Sequence, residues 1–275
     1  MIWLKGFLQI PYICIKKKDN MIEDIKLISK EAGILIRNAF GTNFKIEFKT
    51  NESNLVTEVD KASEKLITDF VKKKYPTHGI LAEEGGGYNK ESEYLWVIDP
   101  IDGTTNFAHG LPIFSVSIGV QKNGKTIAGV VYDIMNDIMY SAEYGGGAFA
   151  NSERISVSKN DRLSRSVLVT GFPYNIAENP ENALGKFVAL TTVARGIRRL
   201  GSAAIDFCYL ARGVFDGFWE VQLHPWDVCA GKLIAEEAGG LVTDFKGNQI
   251  DIYSEKFLAT NGLIHKEIIE IMEKN

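Results

Sequence analysis

Apolar residues recur at helical spacing from 22 to 40, at Ile25, Ile28, Ala32, Leu35, Ile36 and Ala39, and Gly41 follows as a stop. The pattern predicts an amphipathic scaffold helix. A polar link over 49–54 leads into a second helix, whose buried stripe is Val59, Ala62, Leu66, Ile67 and Phe70 and which ends before Pro76. Short apolar runs then predict strands at 79–82 and 95–98. Segments 114–120, 127–133 and 138–142 alternate or run apolar, with Asn123-Gly124 as a hairpin turn, and predict an antiparallel meander. Gly145-Gly146-Gly147 lacks the strand-to-helix context of a nucleotide loop and reads as a turn.

The second half alternates elements: strands at 167–170, 214–219 and 257–260, helices at 181–194, 202–211 and 226–238, and a last helix from 265. Strands and helices mixed in this order predict an α+β fold of layered sheets and helices. A soft boundary between two halves falls in the polar connection at 155–165. Residues 1–20 differ from the rest of the chain, because their apolar run precedes the charges Lys16, Lys17 and Lys18. A secretory signal has the opposite order, and a membrane span needs about 20 apolar residues. The expectation is an upstream extension over 1–20 ahead of one catalytic domain over 21–275.

Composition narrows the function classes. A formal charge of −4, from 31 basic and 35 acidic residues, argues against a general nucleic-acid binder. Cys14, Cys208 and Cys229 are odd in number and far apart, which points to free thiols in a reducing cytoplasm rather than to disulfides or zinc. The four histidines are isolated, so His-metal sites lose support; without a Gly-x-Ser-x-Gly elbow, so does serine hydrolysis. Arg195, Arg198 and Arg199 suit a second phosphate or an RNA backbone, or simply a solvated helix end.

Candidate chemistry gathers at 95–112, Leu-Trp-Val-Ile-Asp-Pro-Ile-Asp-Gly-Thr-Thr-Asn-Phe-Ala-His-Gly-Leu-Pro. An apolar strand stops in charge at Asp99, and Pro100, unable to donate a backbone hydrogen bond, is expected to end the pairing. Asp99 and Asp102 share that corner. Unit charges about 4 Å apart interact by roughly 4 kcal/mol at an effective dielectric near 20, so two such carboxylates repel unless a cation lies between them. Oxygen ligands without nearby Cys or paired His favour Mg²⁺, Mn²⁺ or Ca²⁺. Gly103 and the Thr104 and Thr105 hydroxyls, at an expected helix start, suit a phosphate. The plainer alternative is that the two acids cap a turn or a helix.

The full run from Asp99 to Pro112 resembles the signature of the inositol monophosphatase family, magnesium-dependent and lithium-sensitive phosphomonoesterases. The resemblance spans 21–275 and implies that family's αβαβα layered fold. It makes Glu83, the first acid of Glu83-Glu84 after a predicted strand, a metal ligand ahead of a mobile loop, and Asp60, within Leu55-Val-Thr-Glu-Val-Asp60, an outer metal-site residue. The Trp-Asp-x-x-Ala-Gly element makes Asp227 a ligand of a second metal. Glu220 matches the acid that accepts hydrogen bonds from substrate hydroxyls, Gly201-Ser202-Ala203-Ala204 the segment that contacts the sugar or inositol ring, and Lys49 a lysine near the site. By themselves Asp60 and Asp227 read as charges near helix N-termini, and Glu83-Glu84 as a solvated pair.

The expected site therefore holds two to three Mg²⁺ ions, with Mn²⁺ a possible substitute. Glu83, Asp99 and the Ile101 carbonyl hold one; Asp99, Asp102 and Asp227 hold another; a third, weaker ion lies near Glu83. Glu83 and Thr104 orient the attacking water, and Asp102, Gly103, Thr104 and Asp227 surround the phosphate. The expected substrate is inositol monophosphate. Rivals are fructose 1,6-bisphosphate, histidinol phosphate or a nucleotide 3′-phosphate, and, in another class, a protein- or RNA-binding adaptor. A homodimer is expected by analogy with the family, and no membrane association.

Overall fold

A computed structural model describes residues 20–49 and 55–274, so the expected extension, Asn20 excepted, and Cys14 lie outside the described residues. The chain runs α1 (Met21–Ala39), β1 (Ile46–Phe48), β2 (Leu55–Thr57), α2 (Glu58–Lys74), β3 (Gly79–Ala82), β4 (Gly86–Tyr88), β5 (Tyr94–Asp102) and α3 (Thr104–Ala108). A meander follows: β6 (Ser115–Lys122), β7 (Lys125–Asp133), β8 (Ile138–Glu143), β9 (Gly147–Ala150) and β10 (Glu153–Arg154). The rest is β11 (Val167–Thr170), α4 (Ala183–Val193), β12 (Gly196–Arg198), α5 (Ala203–Ala211), β13 (Gly217–Val221), α6 (Pro225–Glu237), β14 (Leu241–Thr243), β15 (Lys256–Thr260) and α7 (His265–Glu273).

Among the described residues the larger sheet has the order β10-β9-β8-β7-β6-β5-β3-β4 and the smaller one β12-β11-β13-β15-β14. Helices α1 and α2 cover one face of the larger sheet, α5 and α6 lie between the sheets, and α4 and α7 cover the outer face of the smaller. This is the αβαβα order of layers. Strand β5 reads as an unbroken apolar run because it is covered on both faces, by Ile22, Ile25 and Val59 among others on one side and by Phe207 and Val228 on the other. Cys208 and Cys229 are buried, and loss of solvation pushes the Cys229 thiol up to about 12.

Local rules fix the helix starts. Thr57 caps α2 by accepting from the amides of Val59 and Asp60, while Asp60 accepts from the Thr57 amide at 2.9 Å; such caps contribute about 1 kcal/mol. Helix α6 starts on Pro225, with Asp227 accepting from the His224 amide at 2.6 Å.

Three expectations need correction. Pro100 does not end β5: pairing to β6 skips from Asp99–Ser117 to Asp102–Ser115, so the proline sits in a bulge where no ladder amide is needed. Gly86 and Gly87, expected in a mobile loop, pair with β3 as an edge strand, which Gly86 enters with a positive φ of 77° that glycine takes without steric cost. The strand expected at 214–219 is β13, shifted towards Val221, because Val214 and Phe215 turn back to donate to the Tyr209 carbonyl.

Helix α6 approaches the larger sheet over two glycines. A methyl group on Gly129 would come within 2.9 Å of Ala230 Cα, and one on Gly119 within 2.9 Å of Cys229 Cβ. We expect Gly129→Ala to destabilise the protein by about 1–3 kcal/mol through overpacking, and to lower turnover because α6 begins at the cleft. A urea midpoint equal to wild type would contradict this close approach.

Candidate active site

The bulge in β5 sets the geometry. Its skipped pairing turns Asp99 and Asp102 to the same side, with the Asp99 carboxylate accepting from the Ile101 amide at 3.0 Å. Asp102 is received by the start of α5: it accepts from the amides of Ala203 (3.2 Å) and Ala204 (2.9 Å) and from the Ser202 hydroxyl. Asp227 arrives from the first turn of α6. One carboxylate oxygen from each of Asp99, Asp102 and Asp227 lies within 4.8 Å of the others, and the two β5 acids are buried.

Three carboxylates this close are poorly matched to one another without a counter-charge. Burial, reinforced by Glu83 and then by Asp102 and Asp227, raises the Asp99 carboxyl well above its ordinary range. Asp227 is raised well above its range by burial and then by Glu83, with Asp102 adding to it. Asp102 is pushed only to about 6: burial raises it, but its bonds to Ser202, Ala204 and Ala203 favour the charged form. The donor set is hard oxygen alone, which fits Mg²⁺ or Mn²⁺ and gives a thiol-seeking ion no ligand.

Glu83 follows β3, its amide bonded to the Ile98 carbonyl at 3.2 Å. It faces the three acids electrostatically but stands outside their 4.8 Å group, its carboxylate 2.7 Å from the Lys49 ammonium. Lys49 also pairs with Glu84 at 2.6 Å. Burial works against the lysine's charge, but Glu83 and Glu84 outweigh it and hold the ammonium above its ordinary value. Glu84, read from sequence as half of a solvated pair, has a largely buried side chain; loss of solvation, with Glu83 and Asp60 nearby, lifts it to about 7. Its backbone amide is fixed by the Glu64 carboxylate at 2.7 Å.

Gly103 takes the left-handed conformation (φ 97°), and a side chain there would press on the carbonyls of Ile113 and Gly201. Helix α3 starts directly after it. The Thr104 hydroxyl lies 2.9 Å from both the Ile101 carbonyl and the Asp60 carboxylate, so Asp60 links the α2 cap to the cleft. Asn106 pins the segment before α5 by donating to the carbonyls of Leu200 (2.7 Å) and Ile113 (2.8 Å), which brings Gly201, Ser202 and Ala203 against α3. Glu220 lies on β13 over Gly171, where any side chain would collide with its carboxylate. Burial, and then the Asp102 charge, push Glu220 up to about 8, with Arg199 opposing. Arg195 and Arg198 are exposed, as is His109; Arg199 is exposed and stands 6.0 Å over the Phe172 ring.

Two residues were not singled out from sequence. Tyr174 follows β11; the residue as a whole is 55% exposed, and its phenol is pushed up to about 12 by loss of solvation and then by the charges of Glu83, Asp227 and Asp99. Asp206 lies within α5, one turn beyond the amides that hold Asp102. A loop tyrosine carries no pattern of its own. A single acid inside the apolar run 203–211 does, and it was the available signal.

A model of the inositol monophosphatase family matches residues 17–275. The chain belongs to the inositol monophosphatase family. Among curated relatives it is 40% identical to the Thermotoga maritima fructose-1,6-bisphosphatase/inositol-1-monophosphatase, over 93% of this chain and 96% of that protein. It is 41% identical to Nus factor SuhB of Vibrio cholerae, over 90% of this chain and 93% of that protein. Among solved structures, the extragenic suppressor protein suhB from Bartonella henselae superposes with a TM-score of 0.88 at 35% identity, covering 93% of this chain and 99% of that one. The layered fold is shared with these members. Among the described residues no helix is long and apolar enough to cross a membrane.

Proposed function

We propose that the protein is a Mg²⁺-dependent phosphomonoesterase that hydrolyses inositol monophosphate to inositol and phosphate. The observation that carries this reading is the convergence of Asp99, Asp102 and Asp227 within 4.8 Å, beside the helix start at Gly103 and Thr104. Asp99, Asp102, Asp227, Glu83 and the Ile101 carbonyl would hold the ions. Bound there, Mg²⁺ supplies Lewis acidity, lowering the pKa of a water and neutralising charge on the leaving oxygen. The amides of Gly103 and Thr104 receive the phosphate oxygens as charge develops. Thr104, fixed by Asp60, and Glu83 orient the attacking water. Glu220 accepts from substrate hydroxyls, and the small residues 201–203 let the sugar or inositol ring approach backbone.

The double name of the Thermotoga relative supports a sugar bisphosphate as the nearest rival substrate. A panel of inositol monophosphate, fructose 1,6-bisphosphate, histidinol phosphate and a nucleotide 3′-phosphate, run with Mg²⁺ and repeated with lithium, decides among them. We expect fastest turnover on inositol monophosphate, inhibited by lithium. Glu220→Gln is expected to raise KM for it by about ten-fold with a smaller change in kcat, because it weakens ground-state and transition-state binding alike. A fall in kcat at constant KM would assign Glu220 elsewhere.

The Nus factor name of the Vibrio relative and the exposed Arg195 and Arg198 support a second reading, an RNA- or protein-binding adaptor. Absence of turnover on every monoester, with RNA binding that weakens steeply with salt, would favour it. The reading includes a homodimer, for which light scattering should give twice the chain mass.

A further inference from the structure

We propose that Glu64 is a positioning residue for the metal site, holding the turn that aims Glu83 at the three aspartates. The inference rests on the phosphatase reading, in which Glu83 helps to hold the ions, and adds to it a residue that touches neither ion nor phosphate.

Glu83 opens the three-residue turn 83–85 between Ala82 of β3 and Gly86 of β4, which pair across it. The backbone on both sides of its Cα is pinned. Its own amide donates to the Ile98 carbonyl of β5 at 3.2 Å, and the next amide, that of Glu84, donates to Glu64 Oε2 at 2.7 Å. With both adjoining peptide planes held, the direction in which the Glu83 side chain leaves the backbone is held too. The other carboxylate oxygen of Glu64 lies against Gly85, where a methyl group would come within 2.5 Å of it. Successive amides of a turn make a concavity for an anion, and here the anion is a side chain of the protein itself.

Helix α2 meets the cleft along one edge, where Asp60, Ser63 and Glu64 are all buried and each holds a different segment. Asp60 accepts from the Thr104 hydroxyl at 2.9 Å, the Ser63 hydroxyl donates to the Pro100 carbonyl of the β5 bulge at 3.1 Å, and Glu64 holds the turn. Glu64 is 7% exposed, and no salt bridge among the described residues engages it. Burial raises its carboxyl, while the amides of Glu84 and Gly85 favour the charged form. Lys49 joins the carboxylates of Glu83 and Glu84 but leaves their backbone free, and Gly85, Gly86 and Gly87 offer no side chain by which to grip the turn. The grip comes from α2. Without Glu64 the Glu84 amide loses its partner, the peptide after Glu83 can rotate, and Glu83 faces the aspartates in only a fraction of its conformations. Ion affinity falls by that fraction, and the fold stands because the turn lies near the edge of the larger sheet.

The test titrates Mn²⁺ calorimetrically into wild type, Glu64→Gln and Glu64→Ala, and follows the Mg²⁺ dependence of turnover on inositol monophosphate. For Glu64→Ala we expect Mn²⁺ affinity to fall about ten-fold and the Mg²⁺ concentration for half-maximal turnover to rise about as much, with kcat at saturating Mg²⁺ within about three-fold of wild type. In the same variant the Glu84 amide exchanges hydrogen faster, while α1 and β6 keep their wild-type protection. Glu64→Gln keeps one acceptor oxygen for that amide and loses about three-fold in Mn²⁺ affinity. Wild-type affinity in both variants overturns the inference, as does an affinity loss with unchanged exchange at Glu84 or with protection lost throughout the protein; the phosphatase reading survives each of these. If Glu64→Ala does not fold, Glu64→Gln decides alone, and wild-type affinity in it overturns the inference. Wild-type protein that binds no Mn²⁺ and hydrolyses no ester overturns the phosphatase reading, and this inference with it.

Discussion

Replacing Asp99 by Asn is expected to lower kcat at saturating Mg²⁺ by on the order of 10³-fold or more, with the fold retained. Asp99 sits on the β5 bulge where it faces both partner acids, and in the proposed scheme it would hold the cations together with them. An amide keeps the shape and the bond from the Ile101 amide but removes the charge that holds the cations. In metal-free protein the same change relieves repulsion among buried acids, so the apo thermal midpoint should stay level or rise. Steady-state kinetics together with calorimetric titration of Mn²⁺ separates the two effects. Near wild-type turnover in this variant at saturating Mg²⁺ would remove the basis of the proposed chemistry.

Stability of the metal-free protein is expected to fall as pH rises from 5 to 8, and Mg²⁺ to restore it. Asp102 titrates at about 6 in the folded chain against an ordinary 3.8, so the folded state binds the extra proton. Stabilisation from that proton is complete below 3.8 and lost as pH rises through about 6, a change on the order of 3 kcal/mol. Asp99 and Asp227, also raised, act in the same sense. Metal binding needs these groups deprotonated, so its contribution grows over the same interval. His265 works in the opposite direction. Buried between the hydroxyls of Thr243 and Thr260, each 2.9 Å away, it is held neutral, and its contribution is lost as pH falls below its ordinary 6.5. Thermal scans in EDTA and in Mg²⁺ should therefore differ by on the order of 5–10 °C more at pH 8 than at pH 5. An equal Mg²⁺ effect at both values would mean that the acid cluster is not where the ion binds.

Much of the architecture was written in periodicity. The amphipathic stripe of α1, the apolar run of β5 and the Asn-Gly turn between β6 and β7 each follow from one local rule, and each element stands where that rule put it. The signature over 99–112 picked out Asp99 and Asp102, because a run of that length rarely occurs by chance, and the Trp-Asp-x-x-Ala-Gly element picked out Asp227, which the fold brings within 4.8 Å of them. What periodicity could not carry was long-range. The smaller sheet mixes parallel and antiparallel neighbours, and strands such as β12 and β14, with three residues each, are too short to show alternation. Glu84 looked solvated because its burial comes from Lys49 and α2, brought in by the fold and invisible in its own neighbourhood. Pro100 misled for the opposite reason: the rule that it breaks pairing is sound, but a bulge gave it a position with no bond to lose.

The helices that begin at the cleft, α5 and α6, belong to the layer enclosed by both sheets. Fraying of α1 or α7, which have solvent on one side, leaves their amides untouched, so Ala203 and Ala204 should exchange hydrogen only with the slowest, globally protected class. Loss of activity and loss of the folded state then coincide on heating, with no half-molten, inactive stage between them.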